Sequence, residues 1–123
     1  MRTPWGVADR EYALAPGVVQ VTTPSHGGIR VERGVAERRL SEAARSVPFT
    51  APTAEAYWYE EDCDVLIVLW EIPETRAAFY AYSAIANKPD FQAEHIREYL
   101  PYHCPRYAAR VELPPSYSRL AGV

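Results

Sequence analysis

The feature that most constrains the fold is a pair of strand-like segments separated by a short glycine-containing loop. Residues 17–23, GVVQVTT, are rich in β-branched side chains and lie between two prolines. Residues 29–32, IRVE, alternate apolar and charged side chains. The intervening PSHGG can reverse the chain, because Gly27 or Gly28 can adopt the positive φ of a tight loop. We therefore predict an antiparallel β-hairpin with His26 exposed at its bend.

The rest of the chain predicts helices and one central strand. Apolar side chains recur at helical spacing in residues 35–47, and the alanine-rich residues 74–87 also favour a helix. A third helix is expected to begin near NKPD (residues 87–90), with Asn87 as its N-cap and Pro89 in its first turn, and to end at Pro101. The continuous apolar run VLIVLW (residues 65–70) is typical of a strand buried on both faces.

These segments together predict an α+β fold in a single small domain, residues 1–123. We expect an antiparallel sheet of three or four strands that packs against two or three helices. A chain of 123 residues can bury a hydrophobic core without disulfides. Residues 113–123 are expected to form a loose tail. A strand buried on both faces needs cover on its second face, and helices, a partner protein or a homodimer could supply it.

Composition and charge narrow the class of protein. The longest apolar run is too short to cross a bilayer, and no charged–apolar–small leader is visible, so we expect a cytoplasmic protein without a membrane role. A reducing cytosol would leave Cys63 and Cys104 as thiols. The net charge of −3 argues against the extended basic surface that direct nucleic-acid binding needs, although 12 of the 13 basic residues are Arg.

The middle of the chain is acidic and begins with aromatic residues. Residues 54–90 carry a net charge of −6, and the aromatic residues 57–59 lead directly into four acids within five residues. Tyrosine and tryptophan beside charged groups are typical of protein interfaces, although core packing of the aromatics and a solvated acidic turn would explain the same residues. As an extended strand, Glu60, Asp62 and Asp64 would share one face. The predicted partner-binding residues are Tyr57, Trp58, Tyr59, Glu60, Glu61, Asp62, Asp64 and His26.

A nucleophilic site is the main alternative to an interface. His26 and Cys63, with Asp62 or Glu61 as an orienting acid, are the residue types of a thiolate–imidazole pair. The sequence contains no nucleophile elbow or protease signature, and a cysteine at the start of an apolar run is often buried and inert. His26, Cys63 and Asp62 are therefore candidates, and no catalytic residue is assigned.

A metal site is a weaker alternative. Clustered carboxylates could attract a divalent ion, and zinc could in principle be held by His26, Cys63, His103 and Cys104. These residues lack the paired spacing that is typical of zinc sites. We expect no bound metal and no cofactor.

Three short stretches carry a resemblance to a known family. TPWG (residues 3–6), TPSHGG (residues 23–28) and WYEEDCD (residues 58–64), in this order and spacing, resemble a family of uncharacterised bacterial, phage and plasmid proteins. The resemblance covers approximately residues 1–70 and returns weakly at YHCPRY, while the stretch after the hairpin departs from the family's pattern. It implies no reaction, but it implies a mobile-element setting. It also marks Trp5, Ser25, His26, Gly27, Gly28, Glu61, Asp62 and Cys63.

The leading hypothesis is therefore a non-enzymatic binding or inhibitor protein of a mobile genetic element. It would occupy a surface on a host or phage protein, for instance a nucleic-acid-handling defence complex, in the manner of an anti-CRISPR protein. Acids beside aromatics suit such a basic surface, because opposite charges steer the encounter. The alternative is a small enzyme or metal-dependent protein with its site at His26 and residues 61–63.

Overall fold

The structure is a computed structural model that describes residues 1–47, 52–111 and 113. Its centre is a four-stranded antiparallel sheet in the order β3–β4–β5–β6, preceded by the short hairpin β1–β2. The strands are β1 (Arg2–Thr3), β2 (Gly6–Val7), β3 (Arg10–Ala15), β4 (Val18–Thr22), β5 (Gly27–Glu32) and β6 (Ala56–Glu60). The helices are α1 (Arg33–Arg39), α2 (Glu42–Arg45), α3 (Val65–Glu71), α4 (Arg76–Phe79), α5 (Pro89–His103) and α6 (Pro105–Val111).

The predicted α+β class is confirmed, with more helices than expected because several are only one or two turns long. Among the described residues, no helix is long and apolar enough to cross a membrane. The predicted loose tail, residues 113–123, lies outside the described residues except for Leu113.

The predicted hairpin is confirmed. Strands β4 and β5 pair antiparallel, with Val18 opposite Val31 and Thr22 opposite Gly27, and His26 lies in the connecting loop. The reason given for the glycines is wrong. Gly27 and Gly28 begin strand β5, and neither has a positive φ. Both positions need glycine because a Cβ atom there would clash with neighbouring atoms.

The prediction of a central strand at VLIVLW is wrong, because residues 65–71 form helix α3. A short apolar run without periodicity does not distinguish a buried strand from a buried helix. Helix α3 packs against α5 and against strands β5 and β6, so most of its surface is covered. Ile67, at its centre, is fully buried. The inner strands of the sheet are β4 and β5.

The helix boundaries differ from the sequence pattern in several places. The helix predicted over residues 35–47 is interrupted at Leu40, and Ser41 caps the second piece by accepting a hydrogen bond from the Ala44 backbone N–H. Within the alanine-rich residues 74–87, only Arg76–Phe79 (α4) are α-helical. Helix α5 has Pro89 in its first turn as predicted, but its N-cap is Lys88 and not Asn87, and it continues past Pro101 to His103. Helix α6 follows and is additional to the three helices that the sequence predicts.

Both faces of the sheet are covered, but by different parts of the chain. One face and the helices enclose the main core, to which Ile29, Tyr59 and Ile67 belong. On the opposite face, a smaller apolar cluster includes Trp58, and Trp5 from the N-terminal hairpin packs against it. The sequence suggested that helices or a partner would cover the second face of the sheet. The N-terminal hairpin supplies part of that cover.

Candidate functional site

A pocket of about 350 Å³ lies at the end of the sheet where β5 begins and β6 ends. It is lined by Trp5, His26, Glu60, Asp62 and Cys63. These residues come from three segments that are distant in sequence, and the segments contain TPWG, TPSHGG and WYEEDCD. The structure therefore brings together His26 and the acidic segment, and it adds Trp5.

The TPWG motif forms the turn that places Trp5. Pro4 and Trp5 lie at the bend between β1 and β2, and Gly6 adopts a φ of 119°, which favours glycine. The Thr3 hydroxyl donates a hydrogen bond to the Gly6 carbonyl (2.6 Å) and accepts one from the Trp5 backbone N–H (3.1 Å). The Trp5 ring meets the Trp58 ring edge to face, with centroids 6.0 Å apart. The tryptophan is therefore held in a defined position at the pocket.

Gly28 provides the space that Trp5 occupies. A Cβ atom at this position would lie 2.3 Å from the Tyr59 carbonyl oxygen and 2.5 Å from Cη2 of Trp5. Real Cβ atoms do not approach other atoms so closely. Gly28 is thus required by the close approach of strand β6 and the indole.

Gly27 provides space for Glu61. A Cβ atom at Gly27 would lie 2.9 Å from Oε2 of Glu61 and 2.7 Å from the Val21 carbonyl oxygen. The Glu61 backbone N–H also donates to the Gly27 carbonyl at 3.0 Å. The Glu61 carboxylate therefore lies over Gly27 and does not line the pocket.

The loop that carries His26 is closed by Thr23. The Thr23 backbone N–H and hydroxyl each donate to the His26 carbonyl at 2.7 Å, and the His26 N–H donates to the Thr23 hydroxyl at 3.1 Å. Ser25 is exposed in the same loop but does not line the pocket. Since backbone groups and Thr23 fix the loop, the exposed His26 imidazole is left to face the pocket.

The acidic segment is a turn and not an extended strand. Residues 61–64 connect β6 to α3, and the Asp64 N–H donates to the Glu60 carbonyl at 3.0 Å. The predicted common face of three carboxylates is therefore wrong. Glu60 is half-buried and Asp62 is exposed at the pocket, whereas Asp64 is buried beside Cys104, with Oδ1 3.8 Å from Sγ.

The sequence matches the family described as "Domain of unknown function (DUF7007)" over residues 1–119. The chain belongs to this family. No curated protein and no solved structure matches it significantly. The DUF7007 match spans all three motifs, so every residue of the pocket lies inside the family's domain.

Two carboxyl groups of the DUF7007 pocket influence each other. Burial raises the pKa of Glu60 above its usual value. A hydrogen bond from the Asp62 backbone N–H opposes this rise, and the Asp62 carboxyl adds to it. Among the described residues, no salt bridge links Glu60, Glu61 or Asp62 to an Arg or Lys side chain. The pocket therefore carries negative charge without a cation from the described part of the chain.

Cys63 lines the pocket as a thiol and not as an activated nucleophile. Burial raises its pKa, and the nearby carboxylates of Glu60, Asp64 and Asp62 raise it further, because they disfavour a second negative charge. Within the described residues, no hydrogen bond joins Cys63 to His26. The geometry thus places the predicted nucleophile and base in one pocket without coupling them.

The zinc alternative finds no support in the described residues, where no group of three or more His, Cys, Asp and Glu side chains could hold a metal ion. Cys104 is buried with its sulfur 3.4 Å from the Cys63 carbonyl oxygen. Burial, and then the nearby Asp64, raise the pKa of Cys104 to about 12. His103 instead lies beside Tyr99 on α5.

The aromatic part of the predicted interface is not exposed. Tyr57, Trp58 and Tyr59 are 8%, 4% and 0% exposed. The Tyr59 hydroxyl donates to the Ala44 carbonyl at 2.8 Å in the main core. Because both faces of β6 are covered, these three successive aromatic side chains are buried although they alternate between the two faces. The aromatic side chain of the pocket is Trp5, whose signal in the sequence was the turn-forming TPWG.

Proposed function

We propose that this chain is a non-enzymatic binding protein whose pocket docks against a basic surface of a partner protein. The observation that supports this is the convergence of three separate sequence motifs on one pocket that carries negative charge. A core alone would not need a half-buried carboxylate, an exposed imidazole and a fixed indole at one opening. Interfaces commonly combine an aromatic anchor with charged groups at its rim.

The setting that we propose is a mobile genetic element. The partner would be a host or phage protein, and a nucleic-acid-handling defence complex fits because its groove is basic. The chain would inhibit such a complex by occupying that groove. Opposite charges would speed the encounter and make it sensitive to salt.

Charge reversal at the pocket carboxylates and at the adjacent Glu61 tests this proposal. The variant carries Glu60→Lys, Glu61→Lys and Asp62→Lys, and it should abolish saturable, salt-sensitive binding to purified basic candidate partners. Like charges across an interface cost several kcal/mol, which would reduce affinity by more than ~100-fold. Binding that survives the triple substitution would refute the proposed surface.

A matched control separates the position of the charges from the total charge. Glu32, Glu37 and Glu55 are exposed and do not line the pocket. Changing these three to Lys alters the net charge by the same amount, and it should leave binding within a fewfold of wild type. Circular dichroism and thermal melts would verify that both variants fold.

A second candidate function is a small enzyme with a site at His26 and residues 61–63. The observation in its favour is that His26, Asp62 and Cys63 line the same pocket. If it is correct, Cys63→Ala or His26→Ala alone should remove turnover of an activated ester as completely as both together. We favour the binding function because the raised pKa of Cys63 keeps its thiol protonated near neutral pH.

A further inference from the structure

We propose that the pocket receives the side chain of a single arginine from the partner. The guanidinium would stack on the Trp5 indole and pair with the carboxylates of Glu60 and Asp62. This inference rests on the proposed function and names the chemistry that the same site recognises. It replaces a diffuse attraction between charged surfaces with one defined contact.

The Trp5 indole supplies a fixed aromatic wall. Trp5 is half-buried, its ring meets Trp58 edge to face, and Gly28 leaves no side chain beneath it. A ring that is already held in place loses little conformational entropy when a ligand stacks on it. Guanidinium groups favour such flat aromatic surfaces, because they are planar and weakly hydrated.

Arginine side chains already lie over the rings of the other two tryptophans, Trp58 and Trp70. The Arg30 guanidinium carbon lies 5.8 Å from the Trp58 ring centroid, and the Arg76 and Arg97 carbons lie 5.7 Å and 5.6 Å from that of Trp70. Among the described residues, no Arg or Lys occupies this position over Trp5. Trp5 thus lies beside the carboxylates of Glu60 and Asp62. Among the described residues, no Arg or Lys side chain stacks on its ring or forms a salt bridge with either carboxylate.

The carboxylates of the pocket are suited to a forked donor. Glu60 is half-buried and Asp62 is exposed, and both line the same opening as Trp5. A guanidinium can donate to two carboxylates while its face stays on the indole, whereas an ammonium is a strongly hydrated point charge. Arginine therefore fits this pocket better than lysine does.

Three short peptides test the ligand chemistry. The probes are N-acetyl-Gly-Arg-Gly-amide and its counterparts with lysine or neutral citrulline in place of arginine. The measurement is the NMR shift of the Trp5 indole N–H, which is one of only three tryptophan signals and is assigned by its loss in Trp5→Phe. We expect a saturable shift with the arginine peptide, about tenfold weaker binding with lysine, and none with citrulline.

Neutral variants test the residues. Glu60→Gln and Asp62→Asn should each weaken binding of the arginine peptide by about tenfold. Glu61→Gln is the matched control, because it removes the same charge from a carboxylate that lies over Gly27 and not in the pocket lining. It should leave the affinity within about twofold of wild type. Thermal melts would show that the three variants are equally folded.

The outcomes separate this inference from the proposed function. Equal binding of arginine and lysine peptides, or equal losses in Glu61→Gln and Asp62→Asn, would overturn the inference and leave only a diffuse acidic surface. The absence of any saturable shift with the arginine peptide would also overturn it. The proposed function would fail separately, through retained binding of the purified partner by the charge-reversed variant.

Discussion

Gly28→Ala should destabilise the protein strongly, although alanine is usually tolerated better than glycine in a strand. A Cβ atom at Gly28 would lie 2.3 Å from the Tyr59 carbonyl oxygen and 2.5 Å from Cη2 of Trp5. Ordinary van der Waals contact begins near 3.4 Å, so one or both neighbours must move by about 1 Å. The first neighbour is backbone in the adjacent strand, and it cannot move away by a change of rotamer.

The size of the effect follows from two opposing contributions. Overpacking of a tight site typically costs about 1–3 kcal/mol, and a backbone contact places this site at the upper end. Replacing glycine lowers the entropy of the unfolded chain, which stabilises by about 0.5–1 kcal/mol. The free energy of unfolding should therefore fall by about 2 kcal/mol, which lowers Tm by roughly 8 °C for a domain of this size.

Urea denaturation and thermal melts would measure this effect, with Gly34→Ala as the matched control. Gly34 lies in helix α1, where a Cβ atom would meet only the Nη1 atom of Arg38, at 3.3 Å. Because that guanidinium can move, Gly34→Ala should stabilise by up to about 1 kcal/mol. A Gly28→Ala protein within about 0.5 kcal/mol of wild type would refute the steric argument. Adding Trp5→Ala should make the combined loss smaller than the sum of the single losses.

Three further predictions concern the core and the titratable groups. Tyr59→Phe removes the hydroxyl that donates to the Ala44 carbonyl, and it should lower the free energy of unfolding in urea by about 1 kcal/mol. Burial, and then the neighbouring His103, lower the pKa of His95 below 6.5 in the folded protein. The His95 imidazole therefore binds a proton more tightly in the unfolded chain than in the folded one. Stability should therefore fall as the pH drops below 6.5 through the folded-state pKa, and less so in His95→Gln. Iodoacetamide should alkylate Cys63 more slowly than free cysteine at neutral pH, as mass spectrometry would show, because burial raises its pKa; a rate equal to or above that of free cysteine would contradict this.

Part of the site could be read from short stretches of sequence. The resemblance marked Trp5, His26 and Asp62, and all three line the pocket. The predicted interface included His26 and Asp62, but its aromatic residues were those of strand β6, and Trp5 was not among them. Alternation along a single strand cannot show that both of its faces are covered, so the burial of Tyr57 and Trp58 could not be predicted.

What the sequence determined is the local structure. The β-branched alternation around PSHGG specified the hairpin, and Pro89 specified the start of helix α5, because these signals depend on neighbouring residues alone. The turn-forming TPWG and the acidic residues before the apolar run were also visible as distinct motifs. An α+β class follows from this mixture of strand and helix signals.

What only the tertiary structure decided is how these pieces meet. The run VLIVLW (residues 65–70) is apolar throughout, and its environment between the sheet and α5 selects a helix over a strand. The requirement for Gly28 arises from Trp5 and Tyr59, which lie more than 20 residues away on either side along the chain. The pocket exists because the N-terminal hairpin folds back over the sheet and brings its tryptophan to the acidic turn. Such contacts join distant segments, so no local pattern of residues encodes them by itself.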